Sequence, residues 1–191
     1  TNPNDYMYNR TIGQDTTITS TYAKTVIEAS KNTRVSYTLK HFPGYGNNVD
    51  THTNSSLDNR TFEDIKTNDL PPFEAGIKAK AEAVLISHNI VNSIDKNNPA
   101  SLSESVHKLL TDDLDFNGII ITDAIDMGAI TNIENVSSKA LKAGNHLIIT
   151  TNYLESINDI KNAINNNEIS IEELDKVVIK ILAWKYYKGL L

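Results

Sequence analysis

Short apolar segments alternate with helical segments along this chain, and this alternation restricts the fold more than any other feature. Strand–helix alternation is typical of a parallel β-sheet with helices packed on its faces. The predicted strands cover residues 35–39, 83–87, 117–122 and 146–150. The predicted helices cover residues 16–31, 103–114, 136–142, 153–165 and 171–188, with interrupted helical segments in 62–80. Ser170 and Glu173 form a capping-box start for the last helix. The pattern therefore predicts an α/β fold.

The first predicted strand runs into a loop rich in groups that bind and transfer protons. The segment reads Lys40-His41-Phe42-Pro43-Gly44-Tyr45-Gly46, followed by Asn47-Asn48-Val49-Asp50-Thr51-His52. Gly44 and Gly46 permit backbone angles that other residues avoid, so the loop can fold back over a site. Asp50 and His52 are two residues apart, which allows the carboxylate to orient the imidazole as a catalytic histidine requires. Because parallel α/β folds keep their chemistry in strand-end loops, this loop is predicted to be catalytic.

A second candidate is the carboxylate that ends the third predicted strand. The run Gly118-Ile119-Ile120-Ile121-Thr122 is apolar, as a buried parallel strand should be, and Asp123 follows it directly. Core packing does not explain an acid at that position. A carboxylate at this end of a strand would face the site formed by the other loops. The structural alternative is that Asp123 caps the segment that follows.

The composition excludes several classes of function. The chain has 191 residues, of which 39% are hydrophobic, and a formal net charge of −6, as expected of one globular domain. This mild acidity argues against nucleic acid or an anionic membrane surface as the principal partner. No apolar run approaches the ~20 residues of a membrane-spanning helix. Because there is no cysteine, disulfides and thiolate metal sites are excluded, and the histidines show no metal-site spacing.

Taken together, the two segments resemble the catalytic domain of glycoside hydrolase family 3, specifically its bacterial β-N-acetylglucosaminidase (β-hexosaminidase) branch. That branch carries a Lys-His-Phe-Pro-Gly-His-Gly motif, an Asp-Ser-His loop and an Ile-Thr-Asp-Asp segment, which residues 40–46, 50–52 and 121–123 match in order. Further matches are Asn9-Arg10, Gly13, Asp15, Leu70-Pro71-Pro72-Phe73, Ser87-His88, Pro99-Ala100-Ser101-Leu102-Ser103 and Ala143-Gly144. Two positions depart from the pattern, because Tyr45 replaces a histidine and Ala124 replaces the second aspartate.

The resemblance implies that residues 1–191 are the C-terminal portion of a single glycoside hydrolase family 3 domain. In structural terms, this is the C-terminal half of a parallel (β/α) barrel of TIM type. Four predicted strands are about half of the eight strands, in ~250 residues, of a complete barrel. An open half-barrel would leave hydrogen-bonding edges and an apolar interior exposed. We therefore expect a partner, which is either the missing N-terminal half of the barrel or a second copy of this chain.

The resemblance also implies a retaining, two-step glycoside hydrolysis. Asp123 would be the nucleophile that forms a covalent glycosyl-enzyme. His52, oriented by Asp50, would be the acid/base in place of the second carboxylic acid that most such enzymes use. The substrate-binding residues that it implies are Lys40, His41 and Arg10. No metal or organic cofactor is implied.

Each of these roles has a structural alternative. Asp50 and His52 could simply stabilise a polar loop through their own hydrogen bonds. Lys40 could be solvated, and His41 could be a buried histidine with satisfied hydrogen bonds. The other side chains expected to be structural are His88, which would support the mouth of the site by hydrogen bonding, His107, His146, and the packed aromatic residues Trp184, Tyr186 and Tyr187.

The predicted function is removal of β-linked N-acetylglucosamine, or another N-acetylhexosamine, from glycans such as bacterial cell-wall peptidoglycan fragments. Two alternatives stay open, namely a non-catalytic carbohydrate-binding or assembly domain and a β-glucosidase of the wider family. Phosphorolysis is also conceivable, because a neutral imidazole repels phosphate less than a carboxylate would. We expect the isolated chain to have little or no activity. The sequence leaves its location open between the bacterial cytoplasm and the cell envelope or exterior.

Overall fold

The computed structural model describes residues 3, 5–13, 15–52 and 55–191. The helices among these residues are α1 (Thr16–Ser30), α2 (Phe62–Asn68), α3 (Leu70–Lys78), α4 (Glu104–Lys108), α5 (Val136–Ala143), α6 (Tyr153–Asn165) and α7 (Ile171–Tyr187). The strands are β1 (Thr38–Phe42), β2 (Leu57–Asp58), β3 (Ala83–Ile86), β4 (Ile90–Val91) and β5 (Ile119–Thr122). Short 3-10 turns cover Tyr8–Arg10 and Ala100–Leu102, and a π-helical turn covers Leu109–Asp113.

The main sheet is parallel and has the strand order β1-β3-β5. The short strands β2 and β4 form a second parallel pair. Because the three main strands run in one direction, their carboxyl ends meet at one edge, and the loops that follow them converge there. This confirms the predicted α/β class with parallel sheets. The described residues form an open sheet and do not close into a barrel.

The core lies against the faces of the main sheet. Its buried apolar residues include Phe42 from β1, Val84 and Ile86 from β3, and Ile120 from β5. The ring of Phe73 from α3 packs edge-on against Phe42, with 5.1 Å between ring centroids. Burial of each such side chain contributes roughly 1.5–3 kcal/mol, so this cluster holds the sheet against its helices.

The first strand begins three residues later than predicted, at Thr38 rather than residue 35. Val35 and Tyr37 gave the predicted strand its apolar character, but their side chains are 57% and 48% exposed. Pairing with β3 continues instead to Phe42, with an irregularity of the ladder between Leu39 and Phe42. Irregularities of this kind re-aim side chains beside active sites. Lys40 and His41 therefore lie within the strand and not after it.

The predicted fourth strand at 146–150 forms only a single parallel bridge, between Leu147 and Ile121. Here two backbone amides donate to side-chain atoms and not to the carbonyl oxygens of a regular ladder. The ring Nδ1 of His146 accepts a hydrogen bond from the amide of Ile120 at 2.9 Å. The hydroxyl of Thr122 accepts one from the amide of Ile149 at 3.2 Å. The segment thus lies beside β5 without extending the sheet, and His146 has the structural role that was expected.

Helix boundaries follow local capping signals closely. The predicted capping box of Ser170 and Glu173 is present at the start of α7. A second capping box, formed by Thr61 and Asp64, opens α2. The interruption in residues 62–80 falls at Asp69, and the two prolines that follow occupy the first turn of α3, where proline is tolerated.

A partly buried carboxylate joins α7 to the start of β3. Glu82 accepts hydrogen bonds from Ser36 at 2.5 Å and from the indole of Trp184 at 2.9 Å. Its other oxygen lies 2.6 Å from the ammonium group of Lys188, which is only 7% exposed. The expected packing role therefore holds for Trp184. It is wrong for Tyr186 and Tyr187, whose side chains are 75% and 80% exposed.

Exposed apolar side chains concentrate on the two C-terminal helices. On α6 they are Tyr153, Leu154 and Ile157, and on α7 they include Val178, Ile179 and Leu182. In the part of the chain that the structure describes, no helix combines the length and the apolar character needed to cross a bilayer.

Candidate active site

The site lies at the carboxyl edge of the main sheet. His41 is near the end of β1, His88 follows β3, and Asp123 follows β5. The amide of Asp123 donates to the carbonyl of Ile86 at 3.0 Å, so it extends the β3–β5 pairing by one residue. Asp123 thus stands on a rigid strand end, which is where parallel α/β folds place reacting groups.

His41 and Asp123 face each other at this edge. Nε2 of His41 lies 3.8 Å from Oδ2 of Asp123. The other carboxylate oxygen, Oδ1, accepts a hydrogen bond from the amide of Ala124 at 2.9 Å. That bond fixes the rotation of the carboxylate and leaves Oδ2 directed at the site. The peptide bond before His41 and the one before Pro43 are both cis.

His41 is held in its neutral form. Burial lowers the pKa of the imidazole to about 4, although the negative charge of Asp123 acts in the opposite direction. Lys40, Arg10 and His52 act electrostatically to lower this pKa further. Nδ1 of His41 is buried and has no hydrogen-bond partner among the described residues.

Asp50 and His52 form the pair that their spacing predicts. Oδ1 of Asp50 lies 2.5 Å from Nδ1 of His52 and accepts a second hydrogen bond from the His52 amide at 2.9 Å. Burial acts to raise the pKa of Asp50, but these two bonds lower it below its ordinary value. An ionised carboxylate only accepts hydrogen bonds, so Nδ1 carries the proton. Nε2 of His52 is thereby left as the atom for proton transfer.

Tyr6 is a member of the site that the sequence analysis missed. Its hydroxyl lies 3.2 Å from Nδ1 of His52, and its ring packs against that of His52 at 5.9 Å. The guanidinium of Arg10 stacks over the Tyr6 ring, 4.6 Å from its centroid. Cation–π stacking holds a guanidinium in place without neutralising it. Arg10 therefore comes near His52 through Tyr6, while Lys40 lies exposed on β1.

Main-chain hydrogen bonds connect the loop that carries His52 to the segment that follows Asp123. The amide of Gly128 donates to the carbonyl of His52 at 3.0 Å, and the amide of Ala129 donates to the carbonyl of Thr51 at 3.1 Å. Asp123 and His52 also act electrostatically on His88. The structure therefore brings the two predicted catalytic segments together at one edge.

His88 supports this edge by hydrogen bonding, in the way the sequence analysis expected. Its Nε2 lies 2.9 Å from the carbonyl oxygen of Ala124, so Nε2 carries a proton and donates. Its Nδ1 then accepts from the hydroxyl of Ser101 at 2.7 Å. Burial lowers the pKa of His88, which keeps the ring neutral. The ring thereby fixes the backbone immediately after Asp123.

Two glycines allow the loop between β1 and His52 to approach an ion-pair network behind it. Gly44 has φ +138°, and a Cβ there would come within 2.3 Å of the Asp69 carboxylate. Gly46 has φ +57°, and a Cβ there would come within 2.6 Å of the Arg60 guanidinium. Arg60 in turn lies 2.7 Å from Asp58 and 2.6 Å from Asp69. The sequence had not drawn attention to Arg60, although Asp58 is only two residues away; its second partner, Asp69, is nine residues away.

A cleft of about 770 Å³ lies elsewhere, at the opposite end of the main sheet. It is lined by residues that precede β3 and β5, including Glu82 and Gly118, and by Lys180 and Trp184 of α7. It therefore contains none of the site residues described above. In the described ranges, His, Asp and Glu side chains form no group of three or more that could hold a metal ion.

Comparison with known proteins shows which family this sequence matches. The family model described as glycosyl hydrolase family 3 N terminal domain matches residues 1–184. A β-hexosaminidase of Stenotrophomonas maltophilia (strain K279a) is 28% identical over 171 residues, which cover 87% of this chain and 50% of that protein. The chain thus spans about half the length of the first curated relatives it matches, at 50% and 48%.

Solved structures that superpose on this chain include a member of the same family. A glycoside hydrolase family 3 β-N-acetylglucosaminidase from Paenibacillus sp. str. FPU-7 superposes with a TM-score of 0.81 and 26% identity, covering 87% of this chain and 34% of that one. A β-glucoside phosphorylase, BglX, superposes with a TM-score of 0.76 and 27% identity, covering 82% of this chain and 31% of that one.

Proposed function

Because this chain belongs to glycosyl hydrolase family 3, whose N-terminal domain it matches, we propose that it carries the catalytic groups of a retaining β-N-acetylhexosaminidase. The substrate is a glycan that ends in β-linked N-acetylglucosamine or a related N-acetylhexosamine, such as a peptidoglycan fragment. The observation that carries the proposal is the juxtaposition of two units, Asp123 beside a neutral His41 and His52 oriented by Asp50. The β-hexosaminidase names of the curated relatives support this sugar class.

The first step of the proposed reaction forms a covalent bond to Asp123. Oδ2 attacks the anomeric carbon while the glycosidic carbon–oxygen bond breaks. The leaving oxygen takes the proton on Nε2 of a doubly protonated His52, which returns to its neutral form. The carboxylate of Asp50, bonded to Nδ1, stabilises the charged form of His52 before this transfer.

The second step returns Asp123 to its starting form. Nε2 of neutral His52 accepts a proton from water as the water oxygen attacks the anomeric carbon. The bond between that carbon and Asp123 breaks, and the sugar leaves with the configuration it began with. His52 suits both steps because its side chain is 56% exposed and so reaches both water and a leaving group.

Substrate binding is assigned to His41, Lys40 and Arg10. Nε2 of His41, which lies 3.8 Å from Oδ2 of Asp123, would hydrogen-bond a sugar hydroxyl beside that carboxylate. Lys40 and Arg10 contribute cationic donors around it, since both charges act on His41. Because His41 is neutral, it forms no full ion pair with Asp123. The carboxylate therefore stays available to the sugar.

We also propose that residues 1–191 form part of a (β/α) barrel that a partner completes. In the described residues the outer edge of β1 is unpaired in the sheet, and α6 and α7 expose apolar side chains. Such edges and faces are usually covered in stable proteins. The partner is either a further part of the barrel or a second copy of this chain. Light scattering over a range of protein concentrations tests the second copy, because only self-association raises the mass.

Hydrolysis of para-nitrophenyl β-N-acetylglucosaminide by the 191-residue chain tests the catalytic assignment. Asp123→Asn should lower any turnover by a factor of about 10³ or more, because no covalent intermediate can form. Asp175→Asn, on the exposed face of α7, is the matched control and should keep normal turnover. Normal turnover by Asp123→Asn would show that the nucleophile is assigned wrongly.

The same assay separates the alternatives. Turnover by an oligomer, lost in His52→Ala, would mean that copies of the chain complete the site. A silent monomer that still binds N-acetylglucosamine in calorimetry would favour the non-catalytic carbohydrate-binding domain. Preference for the matched glucoside would favour a β-glucosidase. Formation of a sugar 1-phosphate with added inorganic phosphate would favour phosphorolysis, a reaction for which the likeness to a β-glucoside phosphorylase gives a reason to test.

A further inference from the structure

Tyr45 lies between the end of β1 and the loop that carries Asp50 and His52. Its side chain is buried, at 6% exposure, and its ring packs against those of His41 and Tyr6 at 5.6 and 5.5 Å. Tyr45 therefore contacts both His41, which lies beside Asp123, and Tyr6, which lies beside His52. The sequence analysis identified Tyr45 only as a departure from the usual motif, where a histidine stands.

The Tyr45 hydroxyl meets three polar atoms of the same loop. It accepts a hydrogen bond from the amide of Thr51 at 2.9 Å and lies 3.0 Å from the hydroxyl of that residue. It also lies 3.2 Å from the carbonyl oxygen of Val49, to which it donates. A phenol oxygen has one donor and two acceptor positions, so a single atom satisfies all three contacts.

A histidine could not reproduce this arrangement. The two nitrogens of an imidazole lie at different points of the ring, and in the neutral form only one of them accepts. One nitrogen could take the Thr51 amide, but it could not also donate to Val49. The tyrosine hydroxyl thus fixes residues 49–51 in a way that the usual residue of the motif would not.

Thr51 is held from its other side by the segment that follows the nucleophile. Its carbonyl accepts from the amide of Ala129 at 3.1 Å, and the His52 carbonyl accepts from Gly128 at 3.0 Å. Thr51 is 1% exposed, so its polar groups depend on these protein partners and not on solvent. The loop is thereby clamped between Tyr45 and residues 128–129.

We propose that Tyr45 is a positioning residue that holds the His52 loop against the segment following Asp123, through hydrogen bonds from its hydroxyl. The loop then has its working shape before any sugar binds. The effect of Tyr45 on catalysis rests on the proposed function, because Tyr45 would act through His52. Its effect on the position of the loop can be tested without any turnover.

Amide hydrogen exchange of the full chain, followed by NMR, tests the clamp directly. In Tyr45→Phe the Thr51 amide loses its acceptor, and its exchange should speed up by about tenfold or more. The amides of Gly128 and Ala129 should also exchange faster, while Val84 and Ile120 in the sheet should not change. Tyr22→Phe, which removes a hydroxyl from the exposed side of α1, is the control. Unchanged protection of Thr51 in Tyr45→Phe would overturn the proposal.

Tyr45→His provides a graded second variant. Because it keeps one acceptor, Thr51 should exchange at a rate between those of the wild type and of Tyr45→Phe. A rate equal to that of the wild type would show that three contacts at one atom are not needed, which would also overturn the proposal. If Tyr45→Phe fails to fold, the Thr51 exchange rate in Tyr45→His, compared with the wild type, still tests the proposal.

A kinetic comparison separates this proposal from the proposed function. If the chain turns over N-acetylglucosaminides, Tyr45→Phe should lower kcat/KM, which reports the first step, by about tenfold for alkyl leaving groups. It should change kcat/KM much less for dinitrophenyl leaving groups, which do not need a proton from His52 in that step. Equal losses on both would overturn the positioning role. Normal turnover by Asp123→Asn would count against the proposed function. The exchange result decides the role of Tyr45 separately, even in a chain that is silent because its barrel is incomplete.

Discussion

Nε2 of His41 lies 3.8 Å from Oδ2 of Asp123, and yet the imidazole is neutral, because burial outweighs the attraction of the carboxylate. A histidine beside an acid usually gains a proton; this one is too deeply buried to hold it. The pair is therefore a neutral hydrogen-bonding ring next to a free carboxylate, and this state depends on pH.

The first prediction concerns stability in acid. The pKa of His41 is about 4 in the folded protein, whereas the pKa of an exposed histidine ring is 6.5. A lowered pKa means that the folded state disfavours the proton, so stability is full above pH 6.5 and falls as the pH drops toward 4. Between pH 7 and pH 5, His41 alone should cost about 2 kcal/mol of unfolding free energy.

Urea denaturation at pH 7 and pH 5 measures this cost. His41→Gln removes the titration, so its stability should change less between the two pH values than that of the wild type. Part of the dependence should remain in His41→Gln, because burial also lowers the pKa of His146 to about 4. An unchanged pH dependence in His41→Gln would contradict the neutral assignment.

The second prediction concerns the ion-pair network behind the loop between β1 and His52. Burial acts to lower the pKa of Arg60, but its bonds to Asp58 and Asp69 raise it overall, so the guanidinium stays charged. Asp58 is 1% exposed, and removing its partner leaves a buried carboxylate without a counter-ion. Arg60→Ala should therefore lower the unfolding free energy by about 3 kcal/mol, measured by denaturant titration.

Lys108→Ala is the control for this prediction. Lys108 also forms an ion pair, with Glu104, but both side chains are exposed. Removing an exposed pair of this kind should leave the midpoint of unfolding essentially unchanged. Equal effects of the two substitutions would mean that Arg60 is not important for holding the loop.

The third prediction concerns Gly44. Its φ of +138° disfavours any side chain, and a Cβ would meet Asp69 at 2.3 Å. Gly44→Ala should destabilise the protein by about 2 kcal/mol or more, because both the backbone and the packing must shift. Gly13→Ala, where a Cβ would meet no atom within 4 Å, should change the stability by less than about 0.5 kcal/mol. Thermal unfolding of both variants checks the contrast.

The fourth prediction uses the single tryptophan of the chain as a probe. In Glu82→Leu both carboxylate oxygens are lost, so neither Trp184 nor Lys188 keeps its acceptor. The emission of Trp184 should shift to longer wavelength as water reaches the indole, and the unfolding free energy should fall by about 3 kcal/mol. Glu104→Leu, at an exposed position, should leave the emission unchanged. An unshifted Glu82→Leu spectrum would show that this carboxylate does not hold α7 in place.

Local features of the fold could be predicted from the sequence because local residues determine them. The capping box of Ser170 and Glu173 fixes the start of α7 through hydrogen bonds within one turn. The helix predicted at 153–165 has those bounds in the structure. The neighbouring pair of Asp50 and His52 was predicted for the same reason, since two residues of separation almost guarantee contact in a loop.

Features that depend on distant partners could not be predicted. The start of β1 was placed three residues early because Val35 and Tyr37 look like strand residues, and only the pairing with β3 shows otherwise. Tyr6 reaches His52 across 46 positions of sequence. Nothing near either residue in the sequence indicates this contact. The roles of the six predicted site residues themselves stay predictions until the variants are measured.

The contacts of residues 128 and 129 with the His52 loop use main-chain atoms alone. A bond from an amide nitrogen to a carbonyl oxygen is available to every residue except proline as donor. Substitutions can therefore accumulate at positions 128 and 129 over evolution while the His52 loop stays connected to the segment that follows Asp123. We expect homologues to keep this connection even where an alignment shows no shared residue. In a sequence, its loss would be visible only as a proline at position 128 or 129, because proline has no amide hydrogen to donate.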